Sequence, residues 1–301
     1  SSSSSSSELP RSRQPQLRRR STRGLEQSIK WRRGELLGVG SFGKVFLGMN
    51  LATGELIAVK QVRLSLSDDA QEQAKQLEME IMVMKDLKHI NVVQLLGVER
   101  SSTKLNILME YVPGKSVDTL LEKFGAFDEQ VTRSYTKQLL ESLAYLHSKN
   151  FVHRDIKGKN ILVDTKGNIK LADFGSAKRM QDMLGKDAPS VSYNYTPLWT
   201  APEVLQGDYN SKVDVWSLGC VVVEMASGKP PWSEENFENP FRALYHIGNS
   251  NKIPQIPQSM SEEAKDFVQF CLKRDPDERP TAKEMLSHQW MRNVVCPVAY
   301  E

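Results

Sequence analysis

Residues 31–112 and residues 113–292 differ in the periodicity of their apolar residues, and this division constrains the fold more than any other feature. The front part contains short stretches rich in β-branched and aromatic residues, separated by turn signals, with one helical segment among them. After Pro113-Gly114 the apolar residues recur at helical spacing instead. A strand-rich region followed by a helical region predicts an α+β protein of two lobes, divided near residues 111–114.

The same periodicities predict the bounds of the individual elements. In the front lobe we expect a helix at about residues 69–87 and strands at Glu35–Leu37, Lys44–Leu47, Leu56–Val62, Val92–Leu96 and Leu105–Tyr111. In the back lobe we expect helices at 128–149, 211–227, 240–248, 261–273 and 281–288. The first of these helices has an apolar stripe made of Val131, Tyr135, Leu139, Leu143 and Leu146.

Residues 1–30 form a basic tail that begins with seven consecutive serines and carries seven Lys/Arg against two Glu. Their apolar content is too low to offset the entropy cost of ordering, so we expect a disordered segment. The other residues hold 33 Lys/Arg and 35 Asp/Glu, so the overall charge of +3 comes from the tail. This distribution does not indicate a nucleic-acid-binding body. Residues 293–301 are expected to form a short C-terminal extension.

The cysteines and the apolar runs bear on the compartment in which the chain works. Cys220, Cys271 and Cys296 are widely spaced and form no CxxC pair, which predicts neither a disulfide framework nor a zinc site. A reducing compartment is therefore expected, with the cytoplasm as the first choice and the nucleus as the alternative. The longest apolar run, residues 218–226, is interrupted by Glu224 and is too short for a membrane span.

Gly38, Gly40 and Gly43 form a G-x-G-x-x-G-x-V pattern that ends at Val45. Glycines allow a backbone to approach phosphates closely and to present N–H groups to them. A Rossmann unit would need a helix directly after the glycines, and a P-loop would need Ser or Thr in place of Val45. A predicted strand follows instead, and a glycine turn between two strands resembles the hairpin that covers the nucleotide in protein kinases.

Lys60 closes the apolar strand run Ala58-Val59-Lys60, which indicates a buried amine. A buried amine requires an anionic partner, because the isolated charge is costly away from water. The helix at 69–87 offers Glu78 and Glu80, and its apolar stripe comprises Ala74, Leu77, Ile81, Met84 and Leu87. At about 100° per residue Glu80 lies beside this stripe whereas Glu78 points away. We therefore predict a Lys60–Glu80 pair that orients the lysine toward the α- and β-phosphates.

Two polar motifs lie in the back lobe on either side of a predicted hairpin. Residues 153–160 have the spacing H-R-D-x-K-x-x-N, which is highly specific beside the other motifs. Asp173-Phe174-Gly175 follows thirteen residues after Asn160, across strands predicted at 161–163 and 169–172. This hairpin would bring Asn160 and Asp173 close together, and hard oxygen ligands beside phosphates suit Mg²⁺.

With these motifs residues 31–292 resemble the eukaryotic protein kinase family, and the resemblance implies the bilobal protein kinase fold. It also implies ATP and Mg²⁺ as cofactors. By the resemblance Asp155 is the catalytic base, and Lys157 contacts the transferring phosphoryl group. Asn160 and Asp173 bind magnesium.

The resemblance implies further contacts around the nucleotide and supports behind the site. Val45, Ala58 and Leu162 would sandwich the adenine, Met109 would be the gatekeeper, and Glu110 to Val112 would form the hinge. Asp214 would brace the catalytic loop, and Glu203 of Ala201-Pro202-Glu203 would pair with Arg279. The hydrophobic column of the family would consist of Met84, Leu95, His153 and Phe174.

Lys157, two residues after Asp155, and Thr196, before Pro197, match the serine/threonine type of the family. The entry at residues 31–38 and the loop Asp155-Ile156-Lys157-Gly158-Lys159-Asn160 look like MAP kinase kinase kinases of the plant and fungal type. Gly158 supports this resemblance, since many kinases have proline there. Residues 195–200, Tyr-Thr-Pro-Leu-Trp-Thr, depart from the usual Gly-Thr-Pro-Tyr-Trp-Met. The departure concerns the surface that meets the substrate and not the reaction.

The resemblance implies a protein substrate, a MAP kinase kinase, together with an upstream kinase or a scaffold as partners. Arg154 is a cation that a phosphate on the activation segment could neutralise, and Ser192, Ser190 and Thr196 are the candidates. Unmodified loop serines are the alternative. The alternative function is a pseudokinase that serves as a scaffold, but Lys60, Asp155, Asn160 and Asp173 are all intact. A small-molecule kinase is disfavoured by the complete activation segment.

Overall fold

A computed structural model describes residues 29–40, 43–64, 68–180, 197–207 and 209–294 of the chain. Within these residues the front part forms an antiparallel sheet with one helix, and the back part is mainly helical. The prediction of a bilobal α+β fold is therefore confirmed. No helix in the described part of the chain is both long enough and apolar enough to cross a bilayer.

The small lobe is built on a five-stranded sheet in the order β1-β2-β3-β5-β4. Its strands are β1 Trp31–Gly40, β2 Gly43–Asn50, β3 Leu56–Arg63, β4 Leu95–Arg100 and β5 Lys104–Glu110. Alternation along β3 buries Ile57 and Val59 with Leu108 in one apolar cluster, while Val62 packs with Leu77 in another. Leu77 belongs to helix α1, Asp68–Asp86, which therefore packs against the sheet.

The fourth strand, predicted at residues 92–96, lies later in the chain. The strand begins at Leu95, and Val92 and Val93 lie in the connection before it, where both are buried. Val92 forms an isolated parallel bridge with Leu171, and the Val93 N–H donates to the Leu171 carbonyl at 3.0 Å. This apolar pair is buried because it crosses to the large lobe, and periodicity alone cannot distinguish such a connection from a strand.

The large lobe consists of helices, one small antiparallel hairpin and one further antiparallel pair of strands. Its helices are α2 Val117–Phe124, α3 Glu129–Ser148, α4 Lys212–Ser227, α5 Pro240–Asn249, α6 Glu262–Cys271 and α7 Ala282–Met285. Strand β6 Phe151–Val152 pairs with β9 Lys178–Arg179, and β7 Ile161–Val163 pairs with β8 Ile169–Leu171. Every residue of α4 from Val213 to Met225 is buried, so this helix forms the centre of the lobe.

Two helix predictions need correction, and one helix lies outside the predicted segments. Leu139, Leu143 and Leu146 of α3 are buried as expected, but Val131 is 40% exposed, because the buried face of the first turns is formed by the polar residues Thr132 and Thr136. Helix α7 ends at Met285 rather than near residue 288, and a 3-10 turn at Gln289–Met291 follows it. Helix α2 does not correspond to any predicted helix, because its eight residues span too few turns to show a clear apolar periodicity.

Candidate active site

Lys60 and Glu80 form a buried ion pair between β3 and α1. The Lys60 Nζ donates to both carboxylate oxygens of Glu80, at 2.8 and 3.0 Å. Glu80 is 2% exposed, whereas Glu78 lies at the surface and pairs with Arg100 at 3.2 Å. The choice of Glu80 over Glu78 as the partner of Lys60 is therefore confirmed.

Lys60 also contacts the large lobe, because its Nζ lies 3.2 Å from Oδ1 of Asp173. Burial alone would lower the pKa of Lys60, but the charges of Glu80 and Asp173 outweigh burial and raise this pKa to about 12. Burial alone would raise the pKa of Asp173, but Lys60 holds it below its usual value. The lysine is thus a fixed cation between the two lobes.

Asp155 lies in a loop whose neighbouring side chains hold its carboxylate. The Lys157 Nζ contacts both Asp155 oxygens, at 2.8 and 2.9 Å, and the Asn160 side-chain amide donates to Oδ2 at 2.8 Å. The same amide donates to the Asp155 carbonyl at 2.8 Å. The Asn160 side-chain oxygen therefore faces away from the aspartate. Lys157 is the N-cap of the 3-10 turn at Gly158–Asn160, so Lys157 and Asn160 are three residues apart and lie on one side of the turn, toward Asp155.

Asp214 braces this loop from α4. Its Oδ2 accepts from the backbone N–H of His153 at 2.9 Å and lies 2.9 Å from Nε2 of His147, while Oδ1 accepts from the Arg154 N–H at 2.8 Å. The carboxylate is fully buried, and burial would raise its pKa. The His147 hydrogen bond, the two histidines and the Arg154 N–H instead hold the pKa of Asp214 below its usual value. The predicted contact of Asp214 with the catalytic loop is present.

The hairpin β7–β8 brings the two predicted metal-binding segments together, since the Ala172 N–H donates to the Asn160 carbonyl at 2.9 Å. Asp173 follows directly, with φ of 61° and a side chain that is 45% exposed. The next residue, Phe174, is fully buried, and its ring lies 5.0 Å from that of His153. Met84 belongs to the same apolar cluster and Leu95 packs against it, so the predicted column residues share one core.

The glycine pattern forms a hairpin between β1 and β2, as predicted. Gly38 pairs with Val45 and Gly40 pairs with Gly43, while the tip at residues 41–42 lies outside the described residues. A Cβ at Gly43 would collide with the Gln61 carbonyl oxygen on β3, so the hairpin can lie this close to the sheet only with glycine there.

The predicted adenine contacts lie half-buried on three strands, with Val45 on β2, Ala58 on β3 and Leu162 on β7. Met109 pairs with Ala58 across β3 and β5. Glu110 contacts Lys170 at 2.7 Å, and Val112 is buried where the chain leaves the small lobe. Their roles in nucleotide binding stay predictions.

The end of the activation segment is anchored in the large lobe. Glu203 pairs with Arg279, as predicted, and the Arg279 Nη2 donates to Oε2 of Glu203 at 3.2 Å. Arg279 is fully buried and Glu203 nearly so. The candidate phosphorylation sites Ser190, Ser192 and Thr196 lie outside the described residues, as does most of the tail at 1–30, so these stay predictions.

Glu224 is a further candidate for a role at the active site, although it belongs to none of the sequence motifs described above. It lies on α4 and is 5% exposed, and its Oε2 accepts from the backbone N–H of Gly158 and from the Trp199 indole. Burial raises the pKa of Glu224 to about 7, although both donors act in the opposite direction. The one sequence signal was a charge inside an apolar run, at residues 218–226.

Comparison with known proteins places this arrangement in a family. The sequence profile of the protein kinase domain matches residues 31–291, so the chain belongs to the protein kinase family. Membership of this family implies the bilobal fold described above and the use of ATP with a divalent metal ion.

Within this family the chain is similar to several MAP kinase kinase kinases. It is 50% identical over 269 residues to mitogen-activated protein kinase kinase kinase 3 of Arabidopsis thaliana, and 49% identical over 269 residues to YODA of the same plant. It is 44% identical over 273 residues to mitogen-activated protein kinase kinase kinase 3 of Homo sapiens. These alignments cover 88–89% of this chain but only 41%, 30% and 43% of the respective relatives.

Proposed function

We propose that this chain transfers the terminal phosphoryl group of ATP to serine or threonine hydroxyls of a protein, as a MAP kinase kinase kinase. One observation carries the proposal: Lys60, held by Glu80, reaches Asp173, and the Asp173 segment is hydrogen-bonded to the loop that fixes Asp155. A cation for phosphates, oxygen ligands for a metal ion and a carboxylate for the acceptor hydroxyl thus belong to one site.

Each side chain has a role that follows from its contacts. Lys60 binds the α- and β-phosphates, and Glu80 holds the amine in place. Asp155 accepts a hydrogen bond from the acceptor hydroxyl and orients its oxygen for attack, which is the main contribution a protein makes to a loose transition state. Lys157, within 2.9 Å of Asp155, neutralises charge on the transferring group.

The oxygens of Asn160 and Asp173 fit a magnesium ion. In the described residues no cluster of three or more His, Cys, Asp or Glu could hold a metal alone. This matches Mg²⁺ in nucleotide sites, which uses one or two protein oxygens and completes its shell with phosphates and water. When bound, the ion neutralises the phosphate charge that develops during transfer.

The finer assignment rests on the names of the relatives. A MAP kinase kinase kinase acts on a MAP kinase kinase, which is the proposed substrate here, with an upstream kinase or scaffold as a further partner and the cytoplasm as the main location. A pseudokinase scaffold is the second candidate, but no observation favours it, since Lys60, Asp155, Asn160 and Asp173 are present and connected.

The test is transfer of labelled phosphate from ATP with Mg²⁺ to myelin basic protein, comparing wild type with Asp155→Asn. We expect transfer by wild type, a loss of at least a hundredfold in the variant, and label on serine and threonine only. Equal transfer by both proteins would refute the kinase assignment. A panel of catalytically inactive MAP kinase kinases then tests the substrate class, and label on none of them, with basic protein still modified, would remove it.

Activation by phosphorylation is the remaining part of the proposal. Ser192 is the first candidate, followed by Ser190 and Thr196, and a phosphate there would neutralise Arg154 beside Asp155. Mass spectrometry of active protein should find phosphate between residues 176 and 200. An active preparation without phosphate in that interval would remove this hypothesis.

A further inference from the structure

Glu224 is a buried carboxylate that the proposed chemistry does not use. It lies on α4, between residues whose side chains are apolar and buried, and is itself only 5% exposed. An acid in such a position destabilises a fold unless its oxygens are hydrogen-bonded, so its partners indicate what it does.

The two groups that donate hydrogen bonds to Glu224 belong to segments that flank the acceptor site. The Oε2 atom accepts from the Gly158 N–H at 3.2 Å, in the loop that holds Asp155. It also accepts from Trp199 Nε1 at 2.9 Å, in the 3-10 turn Pro197–Trp199 near the end of the activation segment. A single oxygen therefore joins two segments that are far apart in sequence. The Ser217 hydroxyl, also on α4, donates to the Trp199 carbonyl at 2.7 Å and fixes the backbone of the same residue.

The bond to the catalytic loop depends on the residue type at position 158. A proline there, as in many kinases, would have no N–H to donate. A Cβ at Gly158 would lie 2.8 Å from Glu224 Oε1, so any larger side chain would displace the carboxylate. The glycine both supplies the donor and leaves room for the acceptor.

We propose that Glu224 is a positioning residue for protein phosphorylation: it holds the substrate-facing end of the activation segment against the catalytic loop through Trp199 and Gly158. The proposal rests on the proposed kinase function, and it concerns the fit of the protein substrate rather than of ATP. The two bonds are strongest when the carboxylate is ionised, since charge-assisted hydrogen bonds are about twice as strong as neutral ones.

The charged groups around Glu224 determine when it ionises. Asp118 on α2 disfavours the ionised form. The nearby Cys220 on α4 itself carries no charge in this range, because burial raises the pKa of its thiol well above the usual value. In the catalytic loop Lys157 is engaged with Asp155, and Lys159 is exposed. The turn at 197–199 offers only the neutral indole. With its pKa raised to about 7, mainly by burial, Glu224 changes charge within the range where the enzyme can be assayed.

The experiment compares wild type with Glu224→Gln, which keeps the shape and an acceptor oxygen but never ionises. The KM for myelin basic protein and the KM for ATP are measured between pH 6 and pH 8, and the variant-to-wild-type ratio at each pH cancels titration of the probe itself. We expect the protein KM to rise about fivefold at pH 8 and less than twofold at pH 6. The ATP KM should change less than twofold throughout.

Trp199→Phe is the second variant, because it removes the indole donor and keeps an aromatic ring. It should raise the protein KM by a similar factor, and the double variant should be no worse than either single one. Glu263→Gln, at an exposed position of α6, is the matched control.

Three results would overturn the positioning role: a protein-KM ratio independent of pH, an equal change in the ATP KM, or multiplicative effects of the two variants. Any of them could occur in a fully active kinase, so failure of this inference is distinct from failure of the proposed function.

Discussion

The two lobes hold their parts of the site in different ways. In the small lobe the position of Lys60 depends on one residue of the same lobe, Glu80, on a helix that packs against the sheet. In the large lobe the loop with Asp155 is held by Asp214 at two backbone N–H groups, by Glu224 at a third, and by Asn160 from within.

This difference indicates which part of the active site is rigid and which part can move. A loop held by several buried hydrogen bonds is preorganised, which is the property that electrostatic catalysis requires. Lys60 is held by Glu80 from its own lobe and by Asp173 from the other lobe, so its position also depends on how α1 and the two lobes are placed. The large lobe thus supplies the more rigid part of the site, and we expect the contact between Lys60 and Glu80 to be the part that a movement of α1 would change.

The largest expected effect tests the small-lobe contact directly. Lys60→Met should lower turnover about a thousandfold while the protein remains folded, because the phosphates lose their fixed cation and Glu80 can take up a proton. Steady-state kinetics with circular dichroism would check this, and Lys104→Met, at an exposed position of β5, is the control. Turnover like that of wild type would contradict the role given to Lys60.

The second effect tests the large-lobe scaffold. Arg279→Met should destabilise the protein by about 3–5 kcal/mol, because it leaves Glu203 buried without its partner. Denaturant unfolding would measure it, with Arg242→Met at the exposed pair with Glu238 as a control expected to cost less than about 1 kcal/mol. Equal losses in the two variants would show that the anchor at the end of the activation segment is not stabilising.

The third effect is a pH dependence of the free energy of unfolding, caused by Glu224 in the large lobe. The pKa of Glu224 is raised from 4.5 to about 7 in the folded protein, so the native state binds this proton more tightly than the unfolded state does. The resulting stability is complete below pH 4.5 and is lost as pH rises to about 7. It amounts to at most about 3 kcal/mol.

The difference in stability between wild type and Glu224→Gln isolates this contribution from other titrating groups. Melting curves followed by tryptophan fluorescence should show wild type losing stability relative to the variant between pH 5 and pH 7, with no further change above. A difference that stays constant with pH would mean that the carboxylate is ionised throughout.

The smallest effect concerns the partner of Lys60. Glu80→Gln keeps a hydrogen bond to the amine but removes the charge, so we expect kcat to fall about tenfold, far less than with Lys60→Met. Glu78→Gln, on the exposed side of the same helix, should change kcat less than twofold. If the two variants were equally active, the ion pair would not control the position of the lysine.

Local patterns predicted most of the architecture and the site. The stripe on α1 distinguished Glu80 from Glu78, because helical geometry fixes which residues share a face. The spacing from Asn160 to Asp173 predicted their proximity, because a hairpin must return to its start. Val92 and Val93 were misread, because a buried connection and a buried strand have the same composition.

Glu224 could not be predicted to act at the site, since its partners lie 66 and 25 residues away in the chain. A charge inside an apolar run indicates only that some partner must exist. Identifying Gly158 and Trp199 requires the packing of α4 under both segments, which no local pattern contains.

The backbone at Arg154 and Asp173 adds a last consequence. Both residues have positive φ, 69° and 61°, although neither is glycine, and such a conformation costs roughly 1–2 kcal/mol per residue. One precedes Asp155, and the other precedes Phe174, so relaxing either would turn a key side chain out of place. The active site is therefore a strained arrangement that the surrounding residues hold in place. A small loosening of those residues can abolish activity while the protein stays folded.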